Sequence, residues 1–162
     1  MPGRVALTLL LALPLGCAAL RTPAPEARIE AALADLVRAG FEFDADVRFR
    51  YYRYSVCDGV ACADLALIGT RRTIRIAPEA FENPSRLRAT LLEIWERYQQ
   101  PRPGSQPDLA RGALRVIQDG PRVGVDDLYT LRRAHHIYRQ LYEGLPPESR
   151  PGLPEPDTLR FP

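Results

Sequence analysis

Apolar and polar positions recur along this chain with two different periods, and the change of period divides it. Over 26–39, Ile29, Leu33, Leu36 and Val37 return at three- and four-residue steps, the spacing of one helix face, and Gly40 follows as a stop. Over 47–56, in VRFRYYRYSV, the period falls to two. Val47, Phe49 and Tyr51 alternate with Arg48 and Arg50, as on a strand. The phase then slips, and Tyr52, Tyr54 and Val56 carry the alternation, so a bulge is expected at Tyr51-Tyr52. Short strands are predicted at 65–68 and 73–77, the second with Ile74 and Ile76 on one face, joined by a turn at 69–72.

The helical period returns after Asn83-Pro84, a cap residue followed by proline at the first helical position. Leu87, Leu91, Ile94 or Trp95, and Tyr98 give the apolar stripe, with Trp95 expected in the core, and Pro101 ends the helix. After the loop PRPGSQP, Asp108 is expected to cap a helix over 109–118, closed by Asp119-Gly120. Asp126 or Asp127 caps a last helix reaching about Glu143. The order is one helix, three strands, three helices. This predicts an α+β domain at 26–144: a small antiparallel or mixed sheet of about three strands packed against about four helices. The Pro-rich segment 145–162 is expected to be a disordered or extended tail.

The first residues follow neither period. Arg4 precedes an apolar run from Val5 to Leu15, broken only by Thr8 and Pro14. The run is shorter than the ~20 residues a spanning helix needs, and it suits a secretory signal peptide. It closes in Leu13-Pro14-Leu15-Gly16-Cys17, which resembles the lipobox of bacterial lipoproteins, with Pro14 where that family usually carries Leu. The resemblance implies a signal peptide at 1–16, cleavage before Cys17, acylation of Cys17, and a lipidated tether at 17–25. Ala18, being other than Asp, implies an outer-membrane lipoprotein facing the periplasm. The implied partners are the membrane, through the lipid anchor, and an envelope protein.

The charge balance adds an exclusion. The 162-residue chain has 22 basic and 20 acidic side chains, and every basic one is arginine. This near-neutral balance, without basic clusters, argues against nucleic-acid binding. Cys57 and Cys62, in VCDGVACAD, flank a turn-forming Asp58-Gly59. Outside the cytoplasm such a pair is expected to close as a disulfide staple; a thiolate metal site would need a further Cys or His pair at ligand spacing.

The sharpest chemical question lies in RATLLEIWERYQQP, 88–101. With His at positions 92 and 96 it would read H-E-x-x-H, the zinc-binding helix of zincin metallopeptidases, in which two imidazoles four residues apart share a Zn²⁺ and the Glu acts as general base. The layout from 72 to 142 resembles that family. RRTIRIAPEAF would be the cleft strand, NPSRLRATLLEIWERY the active helix, and DDLYTLRRAHHIYRQLYEG the later helix. Glu93 matches the general base. Leu92 and Glu96 replace the histidines, so one ligand is lost outright and the other becomes an oxygen donor, a poor set for zinc.

Three readings of Glu93 and Glu96 stay open. They can form a solvated face paired with Arg97, mark a zinc site that has lost its ligands, or work with His135 as an atypical site in which Glu93 is the base and Glu96 and His135 hold the ion. His135 falls on the apolar stripe of the last helix, between Leu131 and Tyr138, and His136 on its polar side. No serine sits in a G-x-S-x-G setting, and there is no phosphate-binding glycine loop. The tyrosines of YYRY either form a binding face with the arginines or turn inward. The expected function is a noncatalytic envelope domain, zincin-like but degenerate, acting in binding or structural support without a cofactor; the alternative is a zinc-dependent peptidase-like hydrolase.

Overall fold

The computed structural model describes residues 23–57, 59–68, 71–99 and 105–160. The expected signal peptide and Cys17 lie outside the described residues. Helix α1, Pro25–Arg38, buries Ile29, Ala32 and Leu36. Gly40 ends it at φ 90°, a left-handed conformation that glycine adopts without strain. Phe41 N–H then reaches Leu36 O at 2.9 Å and Gly40 N–H reaches Val37 O at 2.9 Å, so two end carbonyls are satisfied.

Strands β1, Arg48–Tyr51, β2, Ala63–Ile68, and β3, Arg71–Ile76, form a mixed sheet in the order β1-β3-β2. β3 runs parallel to β1, with Phe49 opposite Ile74, and antiparallel to β2. Ile74 and Ile76 are fully buried. β1 is shorter than expected: one further bond, Tyr52 N–H to Ile76 O at 2.8 Å, closes its pairing, and the phase slip at Tyr51-Tyr52 marks the strand's end, not a bulge. Tyr51, its last residue, and Tyr54 beyond it are exposed, so the tyrosines do not all turn inward.

Helix α2, Pro84–Tyr98, is the centre of the domain and is buried along almost its whole length, from Ser85 to Glu96. Asn83 Oδ1 accepts from Arg86 N–H at 2.7 Å as its cap. α1 lies against it, with Arg88 Nε donating to Asp35 at 2.6 Å. Trp95, expected in the core, is half-buried; its indole N–H donates to Glu42 O at 2.8 Å.

Helix α3, Gln106–Asp119, starts earlier than expected, because Ser105 and not Asp108 is its cap. Pro107 fits the first turn, where a missing N–H costs no helical bond, and Ser105 Oγ donates to the Asp108 carboxylate at 2.5 Å. Helix α4, Leu128–Gly144, is capped by Asp127, whose carboxylate accepts from Thr130 N–H at 2.9 Å. Ser85, at the start of α2, joins the two helix starts. Its hydroxyl donates to Asp126 Oδ1 at 2.5 Å and accepts from the Asp126 and Asp127 N–H groups at 3.2 Å.

The segment after α4, expected to be disordered or extended, is packed onto the domain. Leu145 and Leu153 are buried. Tyr138 Oη donates to Pro154 O at 2.6 Å, and Arg139 pairs with Asp157 at 2.6 Å. Short 3-10 turns at Pro147–Ser149 and Pro156–Thr158 hold the backbone between these points. Its prolines limit the entropy lost on ordering, and two leucines supply the apolar contact that its composition conceals.

Candidate functional site

Glu93 projects from the middle of α2 and is fully buried, so the expectation of a solvated face fails for it. Two glycines make the space. A β-carbon on Gly112 of α3 would stand 2.5 Å from Glu93 Cγ, and one on Gly59 would stand 2.9 Å from Glu93 Oε1. Gly59 has φ +68°, so its backbone also favours glycine. It belongs to the loop that the Cys57–Cys62 disulfide closes, as expected from the cysteine spacing. Arg133 of α4 reaches over the same loop, with Nη2 3.5 Å from Gly59 O. The carboxylate is therefore enclosed by α3 on one side and a disulfide-closed loop on the other.

Glu96 is on a different part of α2. It is 8% exposed and accepts from Arg115 Nε of α3 at 2.9 Å. Arg115 also donates to Asp119 at 2.8 Å, and Arg122 donates to Asp119 at 2.7 Å. Burial acts to lower the Arg115 pKa, but the bonds to Asp119 and Glu96 outweigh it and raise it. Burial likewise acts to raise the Asp119 pKa, and the two guanidinium groups hold it below the usual aspartate value. Glu96 is thus one acceptor in a chain of ion pairs between α2 and α3.

His135 lies on α4 and is half-buried. Burial, and then the charge of Arg139, push its pKa below the ordinary histidine value. His136 is exposed. The structure does not bring Glu93, Glu96 and His135 together: among the described residues no three His, Cys, Asp or Glu side chains are placed to hold a metal ion. The donor set does not fit zinc. Leu92, which has no lone pair, is fully buried, and Glu96 is engaged by a guanidinium. β3, expected as a cleft strand, is the middle strand, with its backbone groups used by β1 on one side and β2 on the other.

Sequence reasoning missed Gly59 and Gly112 as neighbours of Glu93. A signal was present at 112, where a lone glycine interrupts an otherwise favourable helical pattern. It also missed Arg86, whose Nη2 lies 3.4 Å from Cys62 Sγ. No protein-family model, curated protein or solved structure matches the chain.

Proposed function

We propose that this chain is an envelope lipoprotein, anchored to the membrane through Cys17, whose domain binds a protein partner or gives structural support and does not catalyse hydrolysis. The observation that carries the noncatalytic reading is the Glu96–Arg115 pair: the one side chain that could replace a zincin histidine with a donor atom is neutralised by a guanidinium. Leu92 adds an apolar group at the other ligand position. The binding reading draws on β1, an edge strand, which is bordered by exposed Arg50, Tyr51, Arg53 and Tyr54. Arginine and tyrosine are residue types enriched at protein interfaces.

Two measurements test this reading. In membrane fractions of a bacterial host the full chain sediments with the membrane, and Cys17→Ala releases it; retention of Cys17→Ala overturns the anchor. Purified protein loses added zinc on dialysis and cleaves no peptide. Material that keeps one equivalent of zinc and cleaves a peptide only while Glu93 is intact replaces this reading with the peptidase one.

A further inference from the structure

We propose that the Cys57–Cys62 bridge is a thiol–disulfide exchange site, reduced by a partner dithiol that attacks Cys57 while Arg86 receives Cys62 as a thiolate. The two sulfurs have unequal surroundings. Cys57 is exposed, whereas Cys62 is fully buried. Solvent-borne thiols therefore meet Cys57, and the sulfur that must leave is the one inside.

Arg86 is built for that leaving sulfur. It stands in the first turn of α2 with its side chain 9% exposed. Nη2 points at Cys62 Sγ from 3.4 Å, Nη1 donates to Glu82 at 2.5 Å, and among the described residues Nε is buried without a hydrogen-bond partner. A neutral disulfide sulfur is a weak acceptor, so the oxidised state leaves this guanidinium poorly satisfied. A thiolate at the same place accepts a charge-assisted bond, roughly twice as strong as a neutral one. Arginine cannot shed its proton to escape the arrangement. The contact thus favours the reduced product over the oxidised reactant, and it favours Cys62 as leaving group.

Other charges face this place. Glu82 offsets part of the Arg86 charge from its exposed position. Glu79 also acts on Arg86, and its own carboxyl is held below the usual value first by the Ser55 hydroxyl. Glu93 lies under Gly59, and Arg133 reaches the Gly59 carbonyl. The cation that meets the buried sulfur is Arg86.

The chemistry balances with a dithiol as reductant. One of its thiolates attacks Cys57 Sγ, forming a mixed disulfide, and the Cys57–Cys62 bond breaks with its electron pair going to Cys62 Sγ. The second dithiol sulfur, deprotonated, attacks the first and releases Cys57, which takes a proton from solvent. The dithiol leaves as a cyclic disulfide, having given two electrons and two protons, one of which stays in solvent while Cys62 remains a thiolate.

The test uses the full chain with Cys17→Ala, equilibrated in dithiothreitol buffers of graded oxidation and quenched with an alkylating agent whose mass shift counts free thiols. Arg86→Gln should slow reduction and shift the equilibrium toward the disulfide, each about tenfold, and Arg86→Lys should recover most of both. Glu82→Gln, at an exposed position where folding is not at stake, should shift both the other way by removing the competing carboxylate. Should Arg86→Gln fail to fold, Glu82→Gln decides alone. Rates and equilibria within twofold of the parent in each folded variant overturn the proposal. So does a bridge that resists dithiothreitol until the domain unfolds.

Discussion

Cγ of Glu93 sits where residue 112 would have to place its first side-chain carbon: a β-carbon built on Gly112 comes within 2.5 Å of it. Glu93 is fully buried, so its stem cannot swing aside. Gly112→Ala should therefore destabilise the domain. Alanine gains about 1 kcal/mol in helix propensity, but overpacking costs about 1–3 kcal/mol, and the net should be a loss of up to about 2 kcal/mol. In a Glu93→Ala background the clash disappears, and the same change should be neutral or stabilising. Urea unfolding of the four proteins in this cycle measures the coupling.

Ser85 gives a second prediction. Its hydroxyl serves Asp126 Oδ1 and two backbone N–H groups at the start of α4. That hydroxyl is also the main reason the Asp126 carboxyl lies below its usual pKa. Ser85→Ala should cost about 1–2 kcal/mol, the range for leaving enclosed polar groups without partners. Ser85→Thr should lose less if its methyl finds room. Denaturant midpoints at pH 7 decide both.

Tyr138 anchors the segment after α4. The ring is fully buried, and burial, with a contribution from Tyr142, pushes the phenol up to about 12, so it remains a donor across the physiological range. Tyr138→Phe keeps the ring and removes the bond to Pro154 O. The expected loss is about 1–2 kcal/mol. Hydrogen exchange should locate it: the Leu153 amide, bonded to Arg150 O at 2.9 Å, should exchange faster while amides in the middle of α2 change least.

His135 makes stability depend on pH in a defined direction. Burial disfavours its imidazolium and Arg139 repels it, so its folded pKa lies below the ordinary 6.5. Above that value the ring is neutral in both states and costs nothing. As pH falls through about 6.5 the unfolded chain takes up the proton first, and stability declines until the folded-state pKa is reached. The urea midpoint should drop between pH 7.5 and pH 5. His135→Gln should flatten that drop.

Much of the α+β architecture was legible in local pattern. Ile29 and Leu36 mark α1, Asn83-Pro84 marks the start of α2, and the alternation around Ile74 marks β3, because each signal lies within a few residues of what it predicts. The start of α3 was read at Asp108 because both Ser105 and Asp108 are cap formers, and only the backbone conformation decides between them. The order of the last segment depends on Tyr138, which is distant in sequence from its acceptor at Pro154. The site was least legible. Glu93 reads as a surface acid because its enclosure is made by Gly59 and Gly112, which come from two other elements. Arg86 carries no signal of its own in the local pattern, and its approach to Cys62 is made by the fold.

The fit of Glu93 against Gly112 also constrains how this chain can change over generations. At Gly144 nothing stands within 4 Å of an added carbon, so that position has room to drift. Position 112 carries a penalty while the acid at 93 remains. A lineage that shortens residue 93 first can replace that glycine without meeting the clash, so the space between two helices favours one order of the two events.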